Sequence, residues 1–349
     1  MRKIFLYLFA IPALVLGLAA CDSDDDQSRH DDNQPSLVDS VRFFAVCEGN
    51  YSRGNASITA IMKDGSIRQN FFQNINGRPL GDVAHYMTLI DNNFYIVLNN
   101  SGKIEVVDNK HFESQATIFV YNTNCQPRYV CGIGNNRAVI SDASCDSLRI
   151  IDTESFEIVD RIYVGSPTNQ MTAVGSKLFV KAGNETIILN TTTNKFTKLD
   201  FAAAADSKMP VDKEGKVWIL NNDNYKASLI RIDPETEKIL LHKELDNITL
   251  DEWGARLELV DNTLYFIAID SDYKPYVYKY SIQADSYSFV FSPSDITYLY
   301  GLGSIGFNLV ICDATDFSQS GYVLEFSPTG DIINKFKTGI TPCFIFKNN

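Results

Sequence analysis

The residues able to do acid–base, nucleophilic or metal chemistry are few and scattered in this chain. Its four histidines are His30, His85, His111 and His242, and no two of them have the short, regular spacing of metal ligands on a common element. His85 alone follows one of the loops described below and is a candidate ligand contact; the others read as polar surface. Two runs bring carboxylates close together, Asp270-Ser271-Asp272 and Asp313-Ala314-Thr315-Asp316. Calcium or general acid–base work needs such neighbours, but neither run completes an EF-hand or a hydrolase signature, so both read as solvated loop acids. Gly301-Leu302-Gly303-Ser304-Ile305-Gly306 matches G-x-G-x-x-G. It precedes an apolar strand instead of joining a strand to a helix, so it reads as a turn and not as a dinucleotide cradle. Nothing matches a P-loop or a nucleophile elbow.

Cysteine adds little chemistry. Beyond Cys21 there are six, at 47, 125, 131, 145, 312 and 343, and none forms C-x-x-C. An even number permits disulfides in an exported chain, a Cys47–Cys343 bond among them, while buried free thiols account for the same residues equally well. The expectation is a protein without a catalytic centre, metal or cofactor. An enzyme of lactonase or lyase type would need histidines or carboxylates gathered at a central mouth, and the sequence shows no such cluster.

What the chain does carry is a set of loops rich in amide, aromatic and basic side chains: Tyr51, Arg78, Arg128, Asn169, Tyr225, Trp253, Tyr273, Tyr298 and Phe317, with Asn50, Asn55, Asn100 and Gln170 beside them. Amides both donate and accept hydrogen bonds, and Tyr and Trp offer flat apolar area with a polar tip. Asn and Asp also favour turns for local reasons, so it is the clustering that points to a ligand.

The elements that position these loops repeat along the chain. Seven strands rich in β-branched and aromatic residues begin near Phe43, Phe94, Ala138, Leu178, Val217, Leu264 and Leu309, and each is followed by a partner, near Ser57, Lys103, Ser147, Glu185, Ser228, Tyr276 and Tyr322. Seven units over 41–349 give about 44 residues each, the size of a four-stranded propeller blade. The fold expected is all-β, a seven-bladed β-propeller. Candidate innermost strands precede the listed ones, as at 129–133 and 171–174. The last strand, 343–346, has no partner after it, so it should close the ring as the inner strand beside 43–47 and so remove two exposed sheet edges. Within a blade that runs up and down, the loops between second and third strands and the loops between blades emerge on one side, which gathers the residues named above onto a single face.

Before the repeats lie Arg2 and Lys3, an apolar run 4–18 and then Ala19-Ala20-Cys21. That is the layout of a signal peptide over 1–20. Leu18-Ala19-Ala20-Cys21 resembles the lipobox of bacterial lipoproteins, which implies lipidation of Cys21. The acidic stretch 22–26 and the polar residues to 40 read as a solvated tether, and the acidic block resembles the surface-export signal of Bacteroides-group lipoproteins. The formal net charge is −12, which argues against nucleic acid as partner.

The segment 94–108, Phe-Tyr-Ile-Val-Leu-Asn-Asn-Ser-Gly-Lys-Ile-Glu-Val-Val-Asp, resembles the YncE-like propellers. The segments 44–51 and 76–84 are similar to surface propeller lipoproteins of the Bacteroides group, including the BtuG type that captures cobalamin. The resemblance implies a lipid-anchored outer-membrane protein, exposed at the cell surface. It would bind a nutrient such as a corrinoid for a TonB-dependent transporter, with no protein ligation of a metal. In that reading the aromatic residues cover the corrin rim and Arg78 or Arg128 meets the nucleotide-loop phosphate. A protein–protein scaffold is the alternative, since propeller faces also hold partners.

Overall fold

The structure, a computed structural model, describes residues 35–348 apart from 121–124, 202, 205, 224–225 and 252–254. Cys21, Tyr225 and Trp253, and with them the leader and most of the tether, lie outside the described residues.

The repeats fold as seven antiparallel sheets, six of four strands and one of three. Blades 2, 3, 4, 6 and 7 begin with the inner strands Ala84–Ile90, Pro127–Gly134, Thr168–Val174, Leu257–Val260 and Leu299–Ile305. Each of these five strands turns into its neighbour through a two-residue hairpin whose first residue is left-handed: Asp91, Asn135, Gly175, Asp261 and Gly306. Asn, Asp and Gly are the residues that tolerate that conformation, which is why they mark the sequence at this step.

Ring closure is as expected. Strand Pro342–Lys347 pairs antiparallel with Val41–Cys47, placing Phe44 opposite Phe346 and Ala45 opposite Ile345. The register steps from Val46–Phe344 to Cys47–Pro342, which leaves Cys343 unpaired in a bulge. Its Sγ lies 3.5 Å from the carbonyl oxygens of Val46, Ala84 and His85, while the Cys47 Sγ lies by Thr59. The bond weighed between Cys47 and Cys343 is therefore absent, and all six described cysteines are free.

Second strands such as Val41–Cys47 and Asn93–Leu98 are buried on both faces because each blade is packed between two others, which explains their unbroken apolar runs. Outer strands such as Ile158–Tyr163 and Lys238–Glu244 are mostly exposed. Apolar clusters fill the space between blades; one stacks Phe44 on Phe112 and sets Phe94 and Phe71 edge-on around them.

Two local readings change. The G-x-G-x-x-G run is mostly strand, with only Gly306 in a turn. A Cβ on Gly301 would lie 2.3 Å from the Cys343 carbonyl oxygen, so the glycine lets blade 7 approach the closing strand. Asp313 is buried, not solvated: its Oδ1 accepts the amides of Thr297, Tyr298 and Thr315, and the carboxylate thereby ties two loops of blade 7 together.

Blade 5 departs from the pattern. Among the described residues it has three strands, and its inner position is held by two isolated bridges, Ala203 with Asn221 and Val211 with Val217. Pro210 has no N–H to donate, and its carbonyl accepts from the Trp218 amide. Between the bridges the chain leaves the sheet and carries Asp206 and Lys208 toward the ring centre.

Candidate functional site

All seven blades send a side chain to one end of the central channel. Glu48 follows the second strand of blade 1, His85 is the second residue of the blade 2 inner strand, and Tyr129 and Gln170 are the third residues of those of blades 3 and 4. Asp206 and Lys208 come from the blade 5 segment, Arg256 from just before the blade 6 inner strand and Tyr300 from blade 7. Inner strands start on the side of the blade-to-blade loops, so this is the channel end that opens on the face singled out from the sequence.

Glu48, His85, Tyr129, Asp206, Arg256 and Tyr300 form one connected network together with Arg128. His85 Nδ1 lies 3.3 Å from Glu48 Oε1, and its Nε2 lies 3.2 Å from the Tyr129 hydroxyl and 3.8 Å from Asp206 Oδ1. Arg128 donates to Asp206 at 2.8 Å, the Tyr300 hydroxyl donates to Glu48 at 3.1 Å, and Arg256 donates to the carbonyl oxygens of Ala255 and Tyr300. Below them Lys208 pairs with Glu258 at 2.6 Å, and Ser304 donates to the same carboxylate.

Electrostatics follows from burial and pairing. Burial pushes the His85 pKa below its ordinary value and the Arg128 cation adds to this, against the pull of Glu48 and Asp206. A neutral imidazole with its N–H on Nδ1 donates to Glu48, and the single proton of the Tyr129 hydroxyl then lies between two acceptors, His85 Nε2 and Asp206 Oδ1. For Asp206 burial acts to raise the pKa, but Arg128, His85 and Arg256 outweigh it and hold the carboxyl well below the usual range. Burial raises the Tyr129 and Tyr300 hydroxyls, so both stay protonated.

The space enclosed by this network is about 30 Å³, room for one water. It acts as a plug. On its far side the channel widens to about 380 Å³ between Tyr86, Met171, Met209, Leu259 and Phe344. On the mouth side a separate cleft of about 230 Å³ runs between blades 6 and 7, lined by Asp251, Tyr273, Pro275 and Tyr298.

The loop residues fall into three groups. Tyr298 and Phe317 pack edge to face at 4.7 Å, and Phe317 meets Tyr300 at 5.4 Å, so an aromatic file descends from the rim to the plug. Asn50 donates to the Phe317 carbonyl and is itself braced by Asn55, which leaves Tyr51 at the loop tip 70% exposed; Tyr273 is 76% exposed. Asn169 and Gln170 sit at the blade 4 corner of the mouth, each with a buried side-chain oxygen that has no hydrogen-bond partner. The arginines are committed elsewhere. Arg128 is neutralised by Asp206 inside the plug. Arg78 stands apart from the mouth, with both terminal nitrogens on the buried Glu105 at 2.9 and 2.8 Å and its guanidinium over Phe72.

The expectation that no histidine or carboxylate cluster lies at the mouth is overturned by Glu48, His85 and Asp206. Loop position had marked His85 as a candidate ligand contact, but loop composition missed Glu48 and Asp206. The usable signal was position within the repeat: a polar or aromatic residue at the second or third place of the first strand, as in His85, Tyr129, Gln170 and Tyr300.

Compared with known proteins, residues 42–322 match a family described as a domain of unknown function, DUF5074. No curated protein matches the chain in sequence. Among solved structures it is similar to a quinonprotein alcohol dehydrogenase-like protein from Bacteroides thetaiotaomicron, with a TM-score of 0.66 and 14% identity over 89% of this chain and 79% of that one. It is also similar to the periplasmic gluconolactonase of Pseudomonas aeruginosa, with a TM-score of 0.63 and 10% identity over 87% and 98%. A streptogramin B lyase gives a TM-score of 0.59 at 9% identity over 87% and 90%. At such identities the likeness concerns the propeller fold, which serves different activities in these proteins.

Proposed function

The chain belongs to the DUF5074 family, and we propose that its seven-bladed propeller is a capture module that holds a bulky, amide- or hydroxyl-bearing ligand across the plugged mouth of the channel. The observation that carries this reading is the pairing of exposed aromatic side chains with unsatisfied amide oxygens on one face. Tyr51, Tyr273, Tyr298 and Phe317 give a rim of flat apolar area, and Asn169 and Gln170 present buried acceptors that need donors. An unpaired buried acceptor costs roughly 1–3 kcal/mol, which a ligand N–H or O–H would recover once the amide turns its covered oxygen toward the mouth.

A corrinoid meets this description: primary amide arms able to donate to Asn169 and Gln170 surround a broad apolar ring that suits the aromatic rim. Neither Arg78 nor Arg128 is spare for its phosphate, since each is already matched by a carboxylate, so recognition rests on the ring and the arms. The plug has the residue types of an acid–base centre, but its charges face one another and its space admits only water. Capture above it is the reading that fits the dimensions. The leader and Cys21 complete the proposal: an exported, lipid-anchored outer-membrane protein that hands its ligand to a TonB-dependent transporter.

Calorimetric titration of the purified domain with cyanocobalamin and with cobinamide tests the ligand, with Trp253→Ala and Tyr225→Ala variants extending the test to residues outside the described set. Saturable heat that weakens in rim variants is expected. Absence of heat and of co-elution at micromolar protein would overturn corrinoid capture. Mass spectrometry of the purified protein tests the anchor, expecting an acylated Cys21 at the N-terminus; an intact Met1 would refute it.

A further inference from the structure

We propose that Cys125 and Cys145 are an oxidisable thiol pair, which closes to a disulfide on meeting a disulfide oxidant and staples the lead-in of the blade 3 inner strand to the turn after its second strand. The two Sγ atoms are 3.8 Å apart across 20 residues of chain. One carboxylate holds both backbones in place: Asp142 Oδ1 accepts the amide of Gln126, next to Cys125, and the amide of Cys145 itself, as well as the amide and hydroxyl of the adjacent Ser144. Asp142 Oδ2 anchors Arg149, which is buried, and the guanidinium lies 2.9 Å from Cys125 Sγ and 3.7 Å from Cys145 Sγ. The cation offers a counter-charge to the sulfur that reacts as thiolate in thiol–disulfide exchange, and at Cys125 it acts against the burial that raises the thiol. By contrast Cys47, Cys131 and Cys343 have hydroxyl or carbonyl oxygens as neighbours in the contacts described for them.

Exposure sets the order of events. Cys145 is half-buried whereas Cys125 is 8% exposed, and burial pushes the Cys125 thiol up to about 11. Cys145 sulfur therefore attacks the disulfide of the oxidant first, a thiol–disulfide oxidoreductase or oxidised glutathione. This forms a mixed disulfide and expels one reduced thiol. Cys125 sulfur then gives up its proton, attacks Cys145 Sγ and expels the second thiol. Two S–H bonds are lost and one S–S bond is formed; two electrons and two protons end on the oxidant. The lead-in so fixed carries Arg128 and Tyr129 of the plug.

The same three groups, Cys125, Asp142 and Cys145, lie within 4.8 Å of one another and could in principle hold a soft metal ion. The Arg149 guanidinium occupies the place where the ion would sit and repels it, which decides for the disulfide.

The test is to treat the purified protein with oxidised glutathione, with reduced glutathione, or with zinc, then alkylate and map peptides without reduction. A cross-linked pair of peptides containing Cys125 and Cys145 is expected after oxidation, with two fewer titratable thiols. The midpoint of thermal unfolding should rise by about 4–5 °C, the loop-closure entropy of this interval spread over a domain of this size. Cys145→Ser should remove both changes, and the peptide map of the unaltered protein decides even where that variant folds poorly. Unlinked peptides, a glutathione adduct on Cys145 that never resolves, or stoichiometric zinc that protects both thiols would each overturn the proposal.

Discussion

Replacing Asp206 by Ala tests whether the plug is one electrostatic unit. Asp206 accepts from Arg128 and Tyr129 and stands 3.8 Å from His85, with 17% of its side chain exposed. Removing it leaves the half-buried Arg128 without its directly bonded carboxylate, with only Glu48 still acting on it from the same site, and breaking a buried pair from one side costs about 3–5 kcal/mol. For a domain of about 310 residues the unfolding entropy is on the order of 0.65 kcal/mol/K, so about 4 kcal/mol lowers Tm by about 6 °C. Adding Arg128→Met should restore much of the loss, because the stranded cation is then gone. The assay is thermal and urea unfolding of both single variants and the double variant. A loss below about 1 kcal/mol for Asp206→Ala, or strictly additive losses in the double variant, would refute a shared network. The pH dependence has the same origin. Both His85 and Asp206 have folded pKa values below their ordinary 6.5 and 3.8, so the unfolded chain binds protons first as pH falls. Stability from these groups is complete above about pH 6.5, declines below it through His85, and declines again below about 3.8 through Asp206. His85→Gln should flatten the first step and leave the second.

Deleting residues 342–349 removes the strand paired with Val41–Cys47 and should lower the thermal midpoint of the whole domain; an unchanged midpoint would mean that the ring is not closed by this strand. Gly301→Ala drives a Cβ into the Cys343 carbonyl at 2.3 Å and should cost about 1–3 kcal/mol in urea unfolding. Gly303→Ala meets only the Ile345 side chain at 3.1 Å and should cost less. Tyr273→Ala, at an exposed loop tip, should leave stability within about 0.5 kcal/mol of the parent and weaken ligand binding about tenfold; equal affinity would take Tyr273 out of the rim.

Much of the architecture was legible in the chain. Seven apolar runs at one period, each with a partner and punctuated by Asn, Asp and Gly, specify a closed ring of blades because strands buried on both faces need neighbours on both sides. The unpartnered 343–346 likewise had one place to go. The face carrying Tyr51, Tyr273, Tyr298 and Phe317 followed from alternating strand direction. Tertiary structure alone decided the plug. Glu48 and Tyr300 are 252 residues apart, and His85, Tyr129 and Asp206 come from three further repeats, so no local spacing relates them. Only the ring, by stacking the starts of the inner strands around one axis, brings them within hydrogen-bond range. It also decided that Arg78 and Arg128 meet carboxylates and that Cys343 turns away from Cys47. A charge or thiol takes whichever partner the packing delivers, and that depends on register and bulges one residue wide, which periodicity does not encode.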